Sequence, residues 1–344
     1  ADVVFQKKLG TVADKSARVE KLAQILAAAL GSDSARAARA ARLSKCDLLS
    51  EMVGEFPSLQ GTMGRYYALH DKEDDEVAAA LEEQYLPRYA GDRLPQSDTG
   101  AVLSVAEKLD TIAGIFSIGQ RPSGTRDPFA LRRSGLGVLR LLIEKEKEVD
   151  LRALIEDAVN LQPTAENKAA LTDEIYAYLL ERLRAYYLDS DAGITAQMFD
   201  AVAARQPASP LDFHQRILAV QEFAGLDAAQ SLAAANKRIA NILRSNDEEH
   251  AATADPSLLT EEAEKNLYRQ MEDAQREVMP LLEQRDYRGA LNRLASLRPE
   301  VDQFFDDVMV MADDESLRRN RLALLDQLRQ LFMHTADLSR LQVG

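Results

Sequence analysis

Apolar positions recur at helical spacing almost from the start of the chain. Val19, Leu22, Ile25, Leu26 and Leu30 lie three or four residues apart, so on a helix they form one apolar stripe. No convincing strand-like alternation is found. Ala, Leu, Arg and Glu dominate, and all four favour helix, so propensity and pattern agree on an all-α fold. Gly and Pro are densest at 54–64, 89–100 and 114–128, where they are expected to break a first helical region into helices and loops. The charged run Glu144-Lys145-Glu146-Lys147-Glu148 reads as a solvated helix face that marks a boundary. A second helical region follows from about residue 150, interrupted at Gln206–Pro210 and at Asp255–Ser257, the latter a loop before a capped helix. In the last helix Leu317, Leu324, Leu328, Leu331 and Leu338 repeat at seven, four, three and seven residues, with Arg318, Arg321 and Arg329 largely off that stripe. Asp313, Asp314 and Glu315 suit its N-terminus, where aligned peptide dipoles favour negative charge. No internal repeat or low-complexity tract is seen.

Composition narrows the class. With 344 residues, two or three domains are expected, and 46% hydrophobic against 28% charged residues is the balance of a folded globular protein. The lone cysteine, Cys46, excludes an intramolecular disulfide and a Cys-rich zinc site and fits a reducing, cytoplasmic setting. No apolar run approaches the roughly 20 residues that span a bilayer, and Ala1-Asp2-Val3-Val4-Phe5 lacks the basic region of a signal peptide. The opening without Met, already in mid-pattern, reads as a piece of a longer protein, although methionine removal gives the same start. A net charge of -14 opposes nucleic-acid binding unless cations are gathered on one face.

Candidate chemistry is sparse. Gly61-Thr62-Met63-Gly64 and the stretch Gly119 to Gly124 lack the spacing and strand context of a phosphate-binding loop. His70, His214, His250 and His334 are scattered without metal-ligand spacing, and His70 beside Asp71 reads as an exposed loop histidine. No pair of acids stands out as a general acid and base, so no catalytic or metal-binding residue is nominated.

Several segments are unusual for plain helix. One is Lys45-Cys46-Asp47-Leu48-Leu49-Ser50-Glu51-Met52-Val53-Gly54-Glu55-Phe56-Pro57-Ser58-Leu59-Gln60-Gly61-Thr62-Met63-Gly64. Another runs from Ala106-Glu107-Lys108-Leu109-Asp110 through Pro122-Ser123-Gly124 to Asp127-Pro128-Phe129-Ala130-Leu131-Arg132-Arg133. With Ala233 to Ile242 and Phe304 to Met311, these stretches resemble the glycyl-tRNA synthetase β subunit family, in the same order and from Phe5 nearly to the C-terminus. The resemblance makes the chain the C-terminal half of such a subunit. It implies an HD-related, catalytically inactive helical domain over 1–149, a helical body over 150–234 and a DALR-type anticodon-binding helical bundle over 235–344, similar to that of arginyl-tRNA synthetases. HD hydrolases hold a metal with several His and Asp, whereas the first 200 residues here hold only His70, and Gln84 and Glu107 stand where the family often shows His and Asp. Activation chemistry, with ATP and Mg²⁺, belongs by the same resemblance to a separate α subunit, so no cofactor is expected in this chain.

Residues for RNA contact follow from helix geometry and the resemblance together. Lys237, Asn241 and Arg244 follow i, i+4, i+7 spacing on one helix face, with Arg238 beside them and Leu232, Ala235, Ile239 and Ile242 on the apolar side. Lysine and arginine supply charge for phosphates, and asparagine can bond a base edge. Arg318, Arg319, Asn320 and Arg321 form a second basic cluster. Arg132 and Arg133 follow a rigid Pro-containing turn and either meet tRNA backbone or pair with acids such as Glu144. Phe304 and Phe305 read as core beside Val308 and Met309. The expected function is recognition and positioning of glycine tRNA, body and anticodon, for a partner α subunit in an α2β2 assembly, with no membrane or DNA partner. The rivals are a helical protein-interaction scaffold and an HD-type metal phosphohydrolase.

Overall fold

The computed structural model describes residues 3–190, 192–246 and 251–342, so Ala1, Asp2 and His250 lie outside the described residues. The chain divides into two compact units, Ala1–Tyr186 with Ala208–Leu211, and Tyr187–Pro207 with Asp212–Gly344. Both are built from helices.

Unit 1 opens with an antiparallel pair, β1 (Val4–Gln6) and β2 (Gly10–Thr11), which the apolar pattern did not announce because strands this short cannot show alternation. Then come α1 (Val12–Leu30), α2 (Ser34–Leu43), α3 (Glu51–Glu55), α4 (Thr62–His70), α5 (Asp75–Glu83), α6 (Asp98–Ser117), α7 (Leu131–Glu144), α8 (Leu151–Asn160) and α9 (Lys168–Leu188, as far as Tyr186). Thr11 and Asp14 form a capping box at the start of α1, and Gly31 at φ 69° ends it. Val19, Leu22 and Leu26 of the predicted stripe are fully buried, but Ile25 is 39% exposed, and Ala23 and Ala27 fill the buried face instead.

α6 is buried along most of its length, with α1, α5, α7 and α8 packed around it. Two of the predicted breaks, Gly100 and Gly114, lie inside this helix. Gly114 marks close approach rather than a turn: a Cβ there would sit 3.0 Å from both Leu9 Cδ1 and Gln162 Oε1. Gly137 on α7 does the same where that helix crosses Lys108, whose Cε would lie 2.9 Å from an added Cβ. The charged run is a helix end, not a helix face. α7 stops at Glu144, Lys145 donates to the Gln96 carbonyl at 3.0 Å, and Lys147 meets the Asp98 carboxylate at 3.2 Å.

Unit 2 contains α10 (Ala196–Ala203), α11 (Pro210–Ala224, from Asp212 onward), α12 (Ala229–Arg244), α13 (Glu262–Glu283), α14 (Tyr287–Ala295), α15 (Arg298–Asp307) and α16 (Glu315–Met333). Its core includes Leu232, Ile239, Leu267, Met271, Phe304, Leu324 and Phe332, all fully buried. The break at Asp255 is a 3₁₀ turn, Pro256–Leu258, and α13 then starts with a Glu261/Glu264 capping box, as the pattern predicts. Asp314 caps α16 by accepting from Leu317 N at 3.0 Å. Leu338 lies beyond that helix. α16 stops at Met333, and Asp337 caps a separate 3₁₀ turn, Leu338–Arg340, which keeps Leu338 buried against the α12 side of the core.

The two α1 positions give a direct check. Leu22→Ala is expected to lower stability by about 2–5 kcal/mol in urea unfolding, because it empties a filled site, whereas Ile25→Ala is expected to cost under about 1 kcal/mol. Equal losses would place Ile25 in the core.

Candidate nucleic-acid interface and a buried ionic centre

Unit 1 concentrates charge in its interior. Glu107 and Asp110, one turn apart on α6, face Lys15 and Arg18 of α1. Lys15 Nζ lies 3.0 Å from Asp110 Oδ2 and 3.4 Å from Glu107 Oε1, and it donates to Thr111 Oγ1 at 2.8 Å. Arg18 grips both Asp110 oxygens, at 2.8 and 3.2 Å, and donates to the Leu9 carbonyl at 3.1 Å. Gln162 Nε2 completes the shell of Asp110 at 2.9 Å. Lys45 lies 3.3 Å from Glu107 Oε1, donates to Gln84 Oε1 at 2.8 Å and sits 4.4 Å from the Tyr85 ring centroid. Burial alone would raise the Glu107 pKa, but Lys15, Lys45 and Lys108 outweigh it and hold the carboxyl at about 2. Lys108 goes the other way. Burial pushes its ammonium down to about 7 against the pull of Glu107, while it donates to the Leu86 carbonyl at 2.8 Å and Ser104 Oγ at 2.6 Å.

Gln84 and Glu107, the two positions that resemblance singles out as altered ligands, therefore meet at Lys45. The donor set does not fit a metal ion: two lysines and an arginine, Lys15, Lys45 and Arg18, already hold the two carboxylates, so positive charge stands where a cation would have to sit. Among the described residues no group of three or more His, Cys, Asp or Glu side chains could hold a metal. His70 is far more exposed, with an 88% accessible ring 3.1 Å from Asp71. The lysine and arginine burial was not legible in sequence, because such residues are almost never buried unless paired and their partners are about 90 positions away.

Unit 2 gathers cations outside. α12 buries Leu232, Ala235, Asn236 and Ile239 against α15, α16 and the last 3₁₀ turn, which leaves Lys237, Arg238, Asn241 and Arg244 exposed around a shallow depression with Ala234 and Ser245. Lys237, Arg238 and Arg244 have no carboxylate partner among the described residues. Arg238 instead stacks on Phe305, its Cζ 4.4 Å from the ring centroid.

The remaining predicted contacts divide. Arg321 is only 4% exposed and is bound to the fully buried Glu264 at 2.8 Å, with a further bond to the Met309 carbonyl, so it is an internal strut and not part of an outer basic cluster. Burial would raise the Glu264 pKa, but Arg321 and the backbone amides of Glu261 and Thr260 lower it. Asn320 is buried too and bonds Asp255, and Arg319 pairs with Glu315. Arg318 is half-buried and holds the Ala312 carbonyl at 2.7 Å. Arg132 and Arg133 open α7 after the turn capped by Asp127, which accepts from Leu131 N and Arg132 N. Neither pairs with Glu144, which Arg140 takes at 2.7 Å. Phe304 is core as predicted, but Phe305 is only half-buried. The doublet signal hid this, since neighbouring helix positions point about 100° apart.

A predominantly helical protein whose second unit carries cations on one exposed helix is the class that fold and site define. Residues 232–340 match the family model "DALR anticodon binding domain", and residues 1–204 match "Glycyl-tRNA synthetase beta subunit". Proteins named glycine--tRNA ligase beta subunit are similar over nearly the whole chain: 52% identical in Hahella chejuensis over 99% of this chain, 51% in Marinobacter nauticus over 98%, and 51% in Pseudomonas aeruginosa PAO1 over 99%. The chain spans about half the length of these curated relatives, 49% of each. It belongs to the glycyl-tRNA synthetase β subunit family.

The ionic centre makes its own predictions. Glu107→Gln is expected to cost about 3–5 kcal/mol, because Lys45 then loses its carboxylate partner and Lys15 keeps only Asp110. The native carboxyl titrates lower folded than its ordinary 4.5, so its contribution is full above pH 4.5 and disappears as pH falls toward about 2. Acid unfolding of the native chain should therefore steepen between those values by about 3 kcal/mol, and the variant should lack that step. A variant as stable as the native chain would contradict the described network.

Proposed function

We propose that the chain is a tRNA-recognition arm that binds glycine tRNA, body and anticodon loop, and positions it for a partner α subunit in an α2β2 assembly. The observation that carries this reading is the anticodon-binding match over 232–340 together with the exposed cations of α12 near its start, in a chain of net charge -14. Phosphates would meet Lys237 and Arg244, and the Asn241 amide would reach a base edge of an opened loop. Arg132 and Arg133, at the start of α7 in the other unit, would take tRNA backbone. Recognition of the anticodon lies far from the acceptor end, so this arm would contribute orientation: binding energy away from the reacting bond brings the 3′ end to the catalyst. ATP, Mg²⁺ and glycine would act in the α subunit, in the cytoplasm. No helix among the described residues is long and apolar enough to cross a membrane.

The direct check is fluorescence titration with glycine tRNA, an unrelated tRNA and a glycine tRNA with altered anticodon, at two salt concentrations. Preference for the intact glycine tRNA is expected, and Lys237→Ala with Arg244→Ala should weaken binding and reduce the log–log salt slope by about 1.4, as for two lost contacts to a single-stranded loop. Weak binding that ignores both tRNA identity and these substitutions would favour a scaffold.

A further inference from the structure

We infer that Arg238 and Phe305 form a stacking platform for one unpaired nucleobase, at the edge of the α12 cationic face. This rests on the RNA-binding reading above and assigns one base contact within it.

Rigid support comes from below. Phe304 is fully buried in the unit 2 core, and Phe305 meets it edge-on, with centroids 5.5 Å apart and planes at 83°. The half-buried Phe305 ring supports the Arg238 guanidinium at 4.4 Å, and Arg238 is otherwise exposed. The distinguishing feature is what the guanidinium lacks. Arg121, Arg152, Arg182 and Arg216 also lie over aromatic rings, and each holds a carboxylate, from Glu174, Asp173, Glu181 and Asp212. In those stacks the guanidinium is already paired with an acid of the protein. Arg238 has no carboxylate among the described residues, so its donors are available to solvent or a ligand.

A planar cation fixed on a ring favours a flat, electron-rich partner such as a base, and every base has a face that fits it. Asn241 lies one turn further along α12 and lines the same depression, within reach of the edge of a base laid there, while Lys237 and Arg244 flank it for the adjoining phosphates. Duplex RNA does not offer a free base face, so the ligand is a nucleotide in an opened loop.

The test uses the full-length protein assembled with its partner subunit, and glycine-tRNA transcripts made abasic at one anticodon-loop position at a time. Arg238→Ala and Arg238→Lys should each weaken intact tRNA about tenfold, since lysine keeps the charge but not the plane. One abasic position should weaken the native protein similarly and leave Arg238→Ala unaffected, whereas Lys237→Ala should weaken intact and abasic transcripts alike. Unchanged thermal unfolding of the variants excludes a folding defect. Native-like binding by Arg238→Lys, or an Arg238→Ala loss that adds to every abasic position, would overturn the platform while leaving RNA binding in place. Failure of the native protein to bind glycine tRNA would overturn both.

Discussion

Unit 1 depends on two carboxylates carried into its interior by one helix. On α6 Asp110 is buried and Glu107 largely so, and an acid in such surroundings is costly unless cations meet it. Lys15 and Arg18 arrive from α1, Lys45 from the segment after α2, and Gln162 from the end of α8. The register of three chain segments is thereby tied to one turn of α6. Apolar packing of Leu103, Leu109, Ile112 and Ile115 supplies the bulk of the burial, but it tolerates small slips that paired charges do not.

That centre also decides what unit 1 can do chemically. Gln84 and Glu107, the two positions expected to be altered ligands, are joined through Lys45. Lys15, Arg18 and Lys45 neutralise the acids that a metal would need, so these charges serve the fold. Unit 2 repeats the device with Arg321 and Glu264, which removes one cation from the surface. The cations of α12 are different: they lie outside without acidic partners among the described residues, which is where a polyanion can meet an acidic protein.

Much of the fold was readable because helices announce themselves through spacing and caps. The α1 stripe, save Ile25, and the α12 face follow from period, and the Asp314 cap of α16 follows from an acid at a helix start. What stayed hidden depended on distant neighbours. Gly100 and Gly114 resemble helix breakers until α6 is seen pressed against other chain segments, and Arg321 resembles a surface arginine until Glu264 is found 57 positions away. Phe305 escaped for a related reason, since only the burial of Phe304 shows that its neighbour faces outward with Arg238.

The proposed recognition of RNA by unit 2, with unit 1's ionic centre serving structure, is tested most directly by photochemical cross-linking of the full-length protein, with its proposed partner subunit, to glycine tRNA followed by peptide mapping. Cross-links from the anticodon loop should fall on the peptide that carries Lys237 to Arg244 and on that around Phe305. Anticodon-loop cross-links confined to peptides of unit 1, with none on α12, would contradict it.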